Sequence, residues 1–334
     1  MRLLNNLKTI FNTKSKLTTH NKTTDYYSVN FRNLNINYTP QQVYENPVVF
    51  RCVNLIAQNI ANVECYIKDA QNEIVYDHPK AKLFRQPSKY NDWSKFIYEV
   101  VSDLVIYGNS YLYRLENNTG DQIIRLNPSN CRIVQDFSGR PEKYIFGNTE
   151  LLPDSPNFLH IKNFNPYAPS KGISILSIVE KSAILYDTIT KHNQSILDKG
   201  GRVSGALIVN SELTDEQRAD LKNALKNGYT GSNNAGEVMV FEGDMKWQEM
   251  SISSKDMDFN EGKILAAKEI AMAFGVPFVI LGMQSSYNNQ HKEERLHWWE
   301  DSLIPMLNII LSDLNSWLLE GTELKLTHNF KKES

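Results

Sequence analysis

Residues 274–290 read FGVPFVILGMQSSYNNQ. Helical spacing runs up to this stretch and stops in it. Gly275 stands where a helix takes its left-handed closing residue, and Pro277 bars continuation. The apolar run Phe278, Val279, Ile280 and Leu281 follows. Then come six residues without charge: Gln284, Ser285, Ser286, Tyr287, Asn288 and Asn289. A catalytic loop ordinarily carries an acid, a base or a nucleophile with a partner. This loop carries none, so the spacing predicts a neutral polar loop between two helices.

The flanking pattern extends that reading in both directions. Upstream, residues 256–274 keep helical spacing. Downstream, a long helix is expected over 289–318, with Leu303, Leu307, Ile310, Leu314 and Trp317 as its seam. At ~1.5 Å per residue it would span about 45 Å, and Pro305 should kink it. The terminal ELKLTHNF reads as a strand. A further helix is expected over Ser174–Lys199, ended by Gly200 and Gly201. Between it and the 256–274 helix lies a small α+β insert. There SGALIVN is a strand, and Thr214 with Gln217 makes a capping box for a helix carrying Leu221 and Leu225 that Gly228 should stop. EVMVFEG and MKWQEM read as a hairpin behind the loop GYTGSNNAG.

In the first half, Asn46-Pro47 opens a helix whose Val49, Cys52, Val53, Ile56, Ala57 and Ile60 form one face. VECYIKD alternates as a strand, and HPKAKLFRQPSK is a short helix. Asp92–Tyr107 is a second helix closed by Gly108. From Tyr111 to Phe164 the period falls to two: YLYRL, QIIRL, CRIVQDF, EKYIFGN and NFLHIKNF read as antiparallel strands. The fold class is α+β.

Composition bounds the function. The chain has 334 residues, 41% hydrophobic and 22% charged, which is that of a folded protein. Lys plus Arg number 36 and Asp plus Glu 38, a net charge of -2. That balance argues against a tight nucleic-acid grip over the whole surface and leaves local basic patches open. Three cysteines, Cys52, Cys65 and Cys131, lack metal-ligand spacing and read as reduced, buried thiols. No apolar run reaches membrane-span length. The basic start MRLLNNLKTIFNTKSKL reads as a flexible arm over residues 1–35 rather than a targeting peptide.

The common catalytic constellations are absent. GNSYL at Gly108 lacks the last glycine of a nucleophile elbow. No Walker A and no Gly-x-Gly-x-x-Gly occurs, and Gly228, Gly231 and Gly236 are spaced for turns rather than a phosphate cradle. His291 and His297 are six apart and miss a shared helix face, and His160 sits in an alternating strand. Asp256, Asp258 and Glu261 open a helix, where acids complement the dipole. No metal and no cofactor is expected. Trp298 and Trp299 read as core or subunit packing. Lys181, Lys191, Lys199, Lys255, Lys263 and Lys268 form either a solvated face or the lining of a passage for a polyanion.

The order of these segments resembles the portal proteins of tailed bacteriophages, in the type found in long-tailed phages, prophages and gene-transfer particles. The matching pieces run from about Val43 to Phe330: VVFRCVNLIAQNIANVECYIKD, HPKAKLFRQPSKYNDWSKFIYEVVSDLVIYGNSYLYRL, LNPSNCRIV, FLHIKNF, GISILSIVEKSA, GALIVNSELTDEQRADLKNAL, GSNNAGEVMVFEGDMKWQEMSISSKDMDF, EIAMAFGVPFVILG and LIPMLNIILSDLN. Each is weak alone, and their collinear order is specific. Ile175 replaces a proline common in the family after Gly-x-Ser. Ser88 departs from the usual Pro-Asn, and Glu237 stands where a basic residue is common. The end at Ser334 implies a reduced or absent crown.

The resemblance implies a wing over 36–172, stem helices over 173–200 and 253–275, a clip over 201–252, a tunnel loop over 276–288, and a long kinked helix with terminal strand over 289–334. It implies no enzyme. It implies a homo-oligomeric ring, typically a dodecamer, at a capsid vertex of the virion, assembled in the bacterial cytoplasm. Double-stranded DNA would pass through it during packaging and ejection. The terminase large subunit, the head–tail connector, and capsid and scaffold proteins would be its partners, with no membrane. Gln284 to Asn289 would line the channel, with Lys191, Lys199, Lys255 and Lys263 as candidate basic lining. Phe278, Val279, Ile280, Trp298 and Trp299 would pack against a neighbouring subunit. A ring around moving DNA needs weak, interchangeable contacts, because each phosphate contact adds a salt-dependent grip that sliding must break. A phosphodiester or acyl hydrolase would require a paired acid/base or metal constellation. A soluble adaptor that forms no ring is the other alternative.

Overall fold

A computed structural model describes residues 40–116, 120–198, 205–209, 212–229, 245–249, 259–282 and 288–330. All lie in the compact unit Ile36–Ser334. Its helices begin where the sequence places caps. After a short α1 (Pro40–Tyr44), α2 (Pro47–Ala61) starts under Asn46, whose side chain accepts from the Val48 and Val49 amides at 3.0 and 3.3 Å. Val49, Cys52, Val53, Ile56, Ala57 and Ile60 are buried as expected. Strand β1 (Cys65–Lys68) leads to α3 (Pro79–Arg85) and α4 (Trp93–Tyr107). Asp92 accepts from the Lys95 amide at 2.8 Å, and Gly108 closes α4 at φ 72°. α4 lies on α2, with Phe96, Val100 and Leu104 inside the main core. Each such side chain, fully buried, contributes ~1.5–3 kcal/mol.

The strands that follow pair antiparallel, as expected, but divide between two sheets. Two three-stranded sheets form. The first is ordered β3 (Gln122–Leu126), β2 (Asn109–Leu115), β7 (Phe158–Lys162). The second is β4 (Cys131–Gln135), β5 (Pro141–Phe146), β6 (Thr149–Leu151). The alternation of β2 explains the split. Leu112 points into the main core with Ile123 and Ile161, whereas Tyr111 joins Cys131, Tyr144 and Phe158 in a separate cluster between the sheets. Tyr111 meets Phe146 at 5.4 Å edge-on, and Tyr144 lies 4.8 Å from Phe158. β6 is three residues long with no buried position, so its sequence gave no periodic signal.

α5 (Ile175–Asp198) then pairs with α7 (Phe259–Ala273). Between them, β8 (Gly205–Val209) pairs antiparallel with β9 (Met245–Glu249), from Gly205 opposite Glu249 to Val209 opposite Met245. The expected partner of MKWQEM, residues 237–243, lies outside the described residues. α6 (Asp215–Tyr229) carries the expected capping box: Gln217 N–H donates to Thr214 Oγ1 at 3.3 Å, and Thr214 N–H donates to Gln217 Oε1 at 3.0 Å. Gly228 does not stop α6, which runs one residue past it, as frayed helix ends commonly do.

The long C-terminal helix is interrupted rather than simply kinked. α8 (Asn288–Trp298) passes through a π turn (Trp299–Leu303) into α9 (Ile304–Leu318), where the Ile304 amide donates to Trp299 O. Pro305 has no amide to donate and would crowd the carbonyl of Asp301, and the wider turn ahead of it relieves both problems. Leu303, Leu307, Ile310 and Leu314 are buried, while Trp317 is half-buried and donates from Nε1 to Pro156 O at 2.9 Å. β10 (Lys325–His328) closes the fold by pairing antiparallel with β1, so the last strand returns to the first.

Candidate functional site

The elements around the neutral loop begin at a junction of small and amide residues. Gly108 ends α4, and Gly172 lies just before α5. A Cβ on Gly172 would stand 1.9 Å from Gly108 O, so the two backbones are in contact. Asn109 Oδ1 accepts from Gly172 N at 2.7 Å, and Asn163 Nδ2 donates to Leu104 O at 2.9 Å and to Ile173 O at 3.1 Å. Ser174 Oγ donates to Ile106 O at 2.5 Å and accepts from Ser177 N at 3.3 Å, which caps α5. The Gly-x-Ser of the sequence is thus the joint that fixes where α5 departs. The Gly172 amide fixes the orientation of the Asn109 amide. His160 Nε2–H then donates to Asn109 Oδ1 at 2.9 Å, leaving Nδ1 to accept from Tyr144 Oη–H at 2.9 Å. Burial, aided by Lys162, drops the His160 pKa to about 3, so the ring is neutral.

Along the α5–α7 pair, Leu176, Val179, Ala183 and Ile189 meet Ala266, Ala267, Ile270 and Ala271, all buried. Small residues on α7 let the helices approach. Ser182 Oγ donates to Glu269 Oε2 at 2.6 Å, and Asn46 Nδ2 donates to Asp187 Oδ1 at 3.0 Å, tying α5 to the start of α2. Burial raises the Asp187 pKa; the Asn46 bond and the charges of Lys191 and Lys263 pull it back. α5 carries two basic and three acidic residues, and α7 two of each. The pair is almost neutral.

α7 ends in a Schellman motif. Gly275 (φ 65°) donates to Met272 O at 3.0 Å, and Val276 donates to Ala271 O at 2.9 Å. Pro277 leads into a 3-10 turn, Phe278–Leu281, closed by Gly282 at φ 74°. The apolar run is therefore one tight turn whose Val279 is buried and whose Phe278, Ile280 and Leu281 lean on the main core.

Of the expected loop lining, Gln284, Ser285, Ser286 and Tyr287 lie outside the described residues, as do Lys199 and Lys255. Asn288 and Asn289 form the first turn of α8. Lys191 is exposed on α5. Lys263 Nζ sits 4.6 Å over the Tyr186 ring, and Lys268 Nζ sits 5.5 Å over Phe278. Trp298 is buried inside its own chain, so its ring is already spent on the core and offers no face to a neighbour. Trp299 is half-buried and stacks on Phe330 at 5.0 Å.

Two features escaped the sequence. Ile178 and Leu185 on α5 are 56% and 47% exposed, and Leu265 and Met272 on α7 are 57% and 76% exposed. Each pair is seven residues apart, two turns, and so shares a face that points away from the packed one. The spacing was visible; helical periodicity alone assigns every apolar residue to the core. The cation–aromatic pairs at Tyr186 and Phe278 had no signal in sequence, because their partners lie on different elements.

Among the described residues no group of three or more His, Cys, Asp or Glu side chains converges as a metal site, and no helix is long and apolar enough to cross a membrane. Cys52 and Cys131 are buried, and Cys65 is half-buried. Burial pushes the Cys52 thiol up to about 12, and Cys65 and Cys131 to about 11, far from a reactive thiolate.

The chain's likenesses agree with one another. A family model described as phage portal protein matches residues 47–333. An uncharacterised protein of Rickettsia bellii is 37% identical over 303 residues, covering 87% of this chain and 78% of that one. The portal protein of Escherichia phage T5 is 26% identical, covering 88% of this chain and 74% of its own. Among solved structures, a chain in the neck of an empty gene transfer agent particle matches with a TM-score of 0.67 at 26% identity, over 89% of this chain and 86% of that one. An HK97-family phage portal protein of Corynebacterium diphtheriae shares the fold at a TM-score of 0.65 and 13% identity, over 87% of this chain and 94% of its own.

Proposed function

This chain belongs to the phage portal protein family, a structural family rather than an enzymatic one, and from that premise we propose that it forms the portal ring of a tailed phage, prophage or gene-transfer particle. In this reading the ring sits in the particle neck, the position named for two of its structural relatives. Double-stranded DNA passes through its channel, and the terminase and the head–tail connector dock on the β8–α6–β9 insert. The wing comprises residues 36–172, α5 and α7 are the stem, and residues 276–288 form the tunnel loop.

The observation that carries this reading is the near-neutral stem ending in an uncharged loop. Lys191 and Lys263 act on Asp187 rather than standing free of acids. Lys263 and Lys268 lie over aromatic rings, contacts worth ~0.5–1 kcal/mol at exposed sites. Cations held in this way give DNA a weak, replaceable contact. Gln284, Ser285, Ser286, Tyr287, Asn288 and Asn289 add polar groups without charge. The exposed stripes on α5 and α7 supply the apolar faces that a neighbouring stem would cover. Phe278 and Ile280 at the loop base, with Trp299, complete the neighbour-facing set.

The mass of the purified protein by light scattering, with negative-stain imaging, tests this reading. A large ring with a central hole is expected. A stable monomer that turns over a phosphodiester would overturn it. For the loop, Ser285→Glu or Asn288→Glu should leave folding intact and impair DNA packaging. Unchanged packaging would remove the loop from the channel.

A further inference from the structure

A second interaction surface stands apart from the stem and loop, on α3 and the segment after it. Residues 76–95, YDHPKAKLFRQPSKYNDWSK, hold five Lys or Arg against two Asp, a net of +3 in a chain whose total is -2. Lys82, Arg85 and Lys89 are exposed, and Lys80 is half-buried. Among the described residues no salt bridge joins any of them to an acid. Basic side chains left without acidic partners, on a protein that is acidic overall, are a local field awaiting an anion.

Beside them opens a cavity of about 180 Å³ walled by Ile74, Tyr76, Phe84, Arg85 and Trp93. Ile74 and Tyr76 are exposed large apolar side chains. The Arg85 guanidinium lies 5.8 Å from the Tyr76 ring centroid, which holds both at the rim. Phe84 and Trp93 meet edge-on at 5.7 Å and form the floor. Glu64 is the one carboxylate in the wall, and its Oε2 already accepts from Asn329 Nδ2 at 2.8 Å. The cavity is smaller than the ~300–1,000 Å³ of small-molecule sites. Its size suits one large side chain.

We propose that this cavity and its basic rim dock an acidic segment of a protein partner, which seats one aromatic or large aliphatic side chain in the hole. The rim supplies charge complementarity and orientation, and the aromatic walls supply the buried anchor that dominates such contacts. A nucleic-acid backbone would use the cations and leave the apolar hole empty. The surface uses no residue of α5, α7 or the 276–288 loop, so its failure leaves the ring reading untouched, and the reverse.

Fluorescence anisotropy on the full chain tests it with three probes: a labelled peptide Asp-Glu-Asp-Phe-Glu-Asp-Glu, the same peptide with Ser for Phe, and a short duplex DNA. The Phe peptide should bind about tenfold or more tightly than the Ser peptide, the gain expected from burying one aromatic ring. Ile74→Ala with Tyr76→Ala should erase that difference while keeping the weak charge-driven binding. Lys80→Glu, Lys82→Glu and Lys89→Glu together should abolish binding of both peptides. Equal binding of the two peptides overturns the anchor. Tighter binding of the duplex, lost in the triple variant, overturns the protein partner in favour of nucleic acid. Absence of peptide binding overturns the surface altogether. The two-peptide comparison on the unmodified chain decides the matter even where a variant fails to fold.

Discussion

Gly172 packs against Gly108 so closely that a Cβ on Gly172 would stand 1.9 Å from the Gly108 carbonyl oxygen. Neither residue can move alone, because Asn109 and Asn163 bind the backbone on both sides of the contact. Gly172→Ala should therefore cost about 3 kcal/mol or more, since the clash is with backbone rather than a pliant side chain. For a chain of this size that is a fall in Tm of roughly 4 °C or more. Gly139→Ala serves as the comparison. It has φ 79° with nothing within 4 Å of its added Cβ, so it should cost only ~1–2 kcal/mol for the left-handed backbone. Equal losses in thermal melts would mean that the junction is not tight.

His160 gives a pH signature to the same region. Its pKa falls from 6.5 to about 3 because burial opposes the charged ring. The neutral ring is also the one that can accept from Tyr144 while donating to Asn109. A histidine held below its unfolded pKa stabilises the fold fully above pH 6.5 and progressively less as pH falls toward 3. His160→Gln should lower stability at neutral pH and flatten the loss between pH 6 and 4, as read from denaturant midpoints at each pH. A variant whose acid limb parallels the parent's would show that this ring does not titrate as argued.

Asp103 slopes the other way. Its side chain is 1% exposed and bound bidentately by Arg125, at 2.6 Å from Nε and 2.5 Å from Nη2. Burial outweighs the cation and lifts its pKa from 3.8 to about 6. The raised carboxyl stabilises the fold fully below about pH 4, and that contribution is lost as pH rises through about 6. Removing the cation accentuates the effect. Arg125→Ala should cost ~3–5 kcal/mol at pH 7, where Asp103 loses its cation and must either stay buried as a bare charge or take up a proton. The deficit should shrink on lowering the pH to 5, where protonated Asp103 needs no cation. A deficit independent of pH, measured by paired denaturation curves, would exclude this account.

Local chemistry made the helix limits legible. Asn46, Asp92, the Thr214–Gln217 box and Gly275 each announce themselves by residue type, and each caps as its type requires. What the sequence hid depends on which surfaces oppose each other. Alternation in 111–164 marked the strands but not which face of Tyr111 met Tyr144 across a second sheet. Pro305 signalled a disturbance without saying that a π turn would absorb it. The same limit applies at the candidate site. The loop's neutrality was readable residue by residue. Asp187 and Lys191 stand i, i+4 on α5 and were readable too, whereas the approach of Lys263 to Asp187 arises only when α5 and α7 lie side by side.

The exposed stripes yield the prediction closest to function. Met272 and Leu265 stand outward on α7, two turns apart, with their backs to a helix pair whose core is already complete in one chain. Met272→Asp with Leu265→Asp therefore removes little contact within the subunit, and the monomer's melting temperature should stay within about 1–2 °C of the parent, the shift expected for ~1 kcal/mol in a chain of this length. In a ring the same change buries two unpaired carboxylates against a neighbour's apolar face. That cost, several kcal/mol per site, is repeated at each interface. The variant should be a folded monomer by light scattering at concentrations where the parent forms rings. Ile309→Asp offers the contrast. It is also exposed, at 57%, but lies on α9, outside the stem, and should leave the ring intact. Rings from the α7 variant would show that the stripes face solvent in the assembly, and would move the subunit contact to another surface.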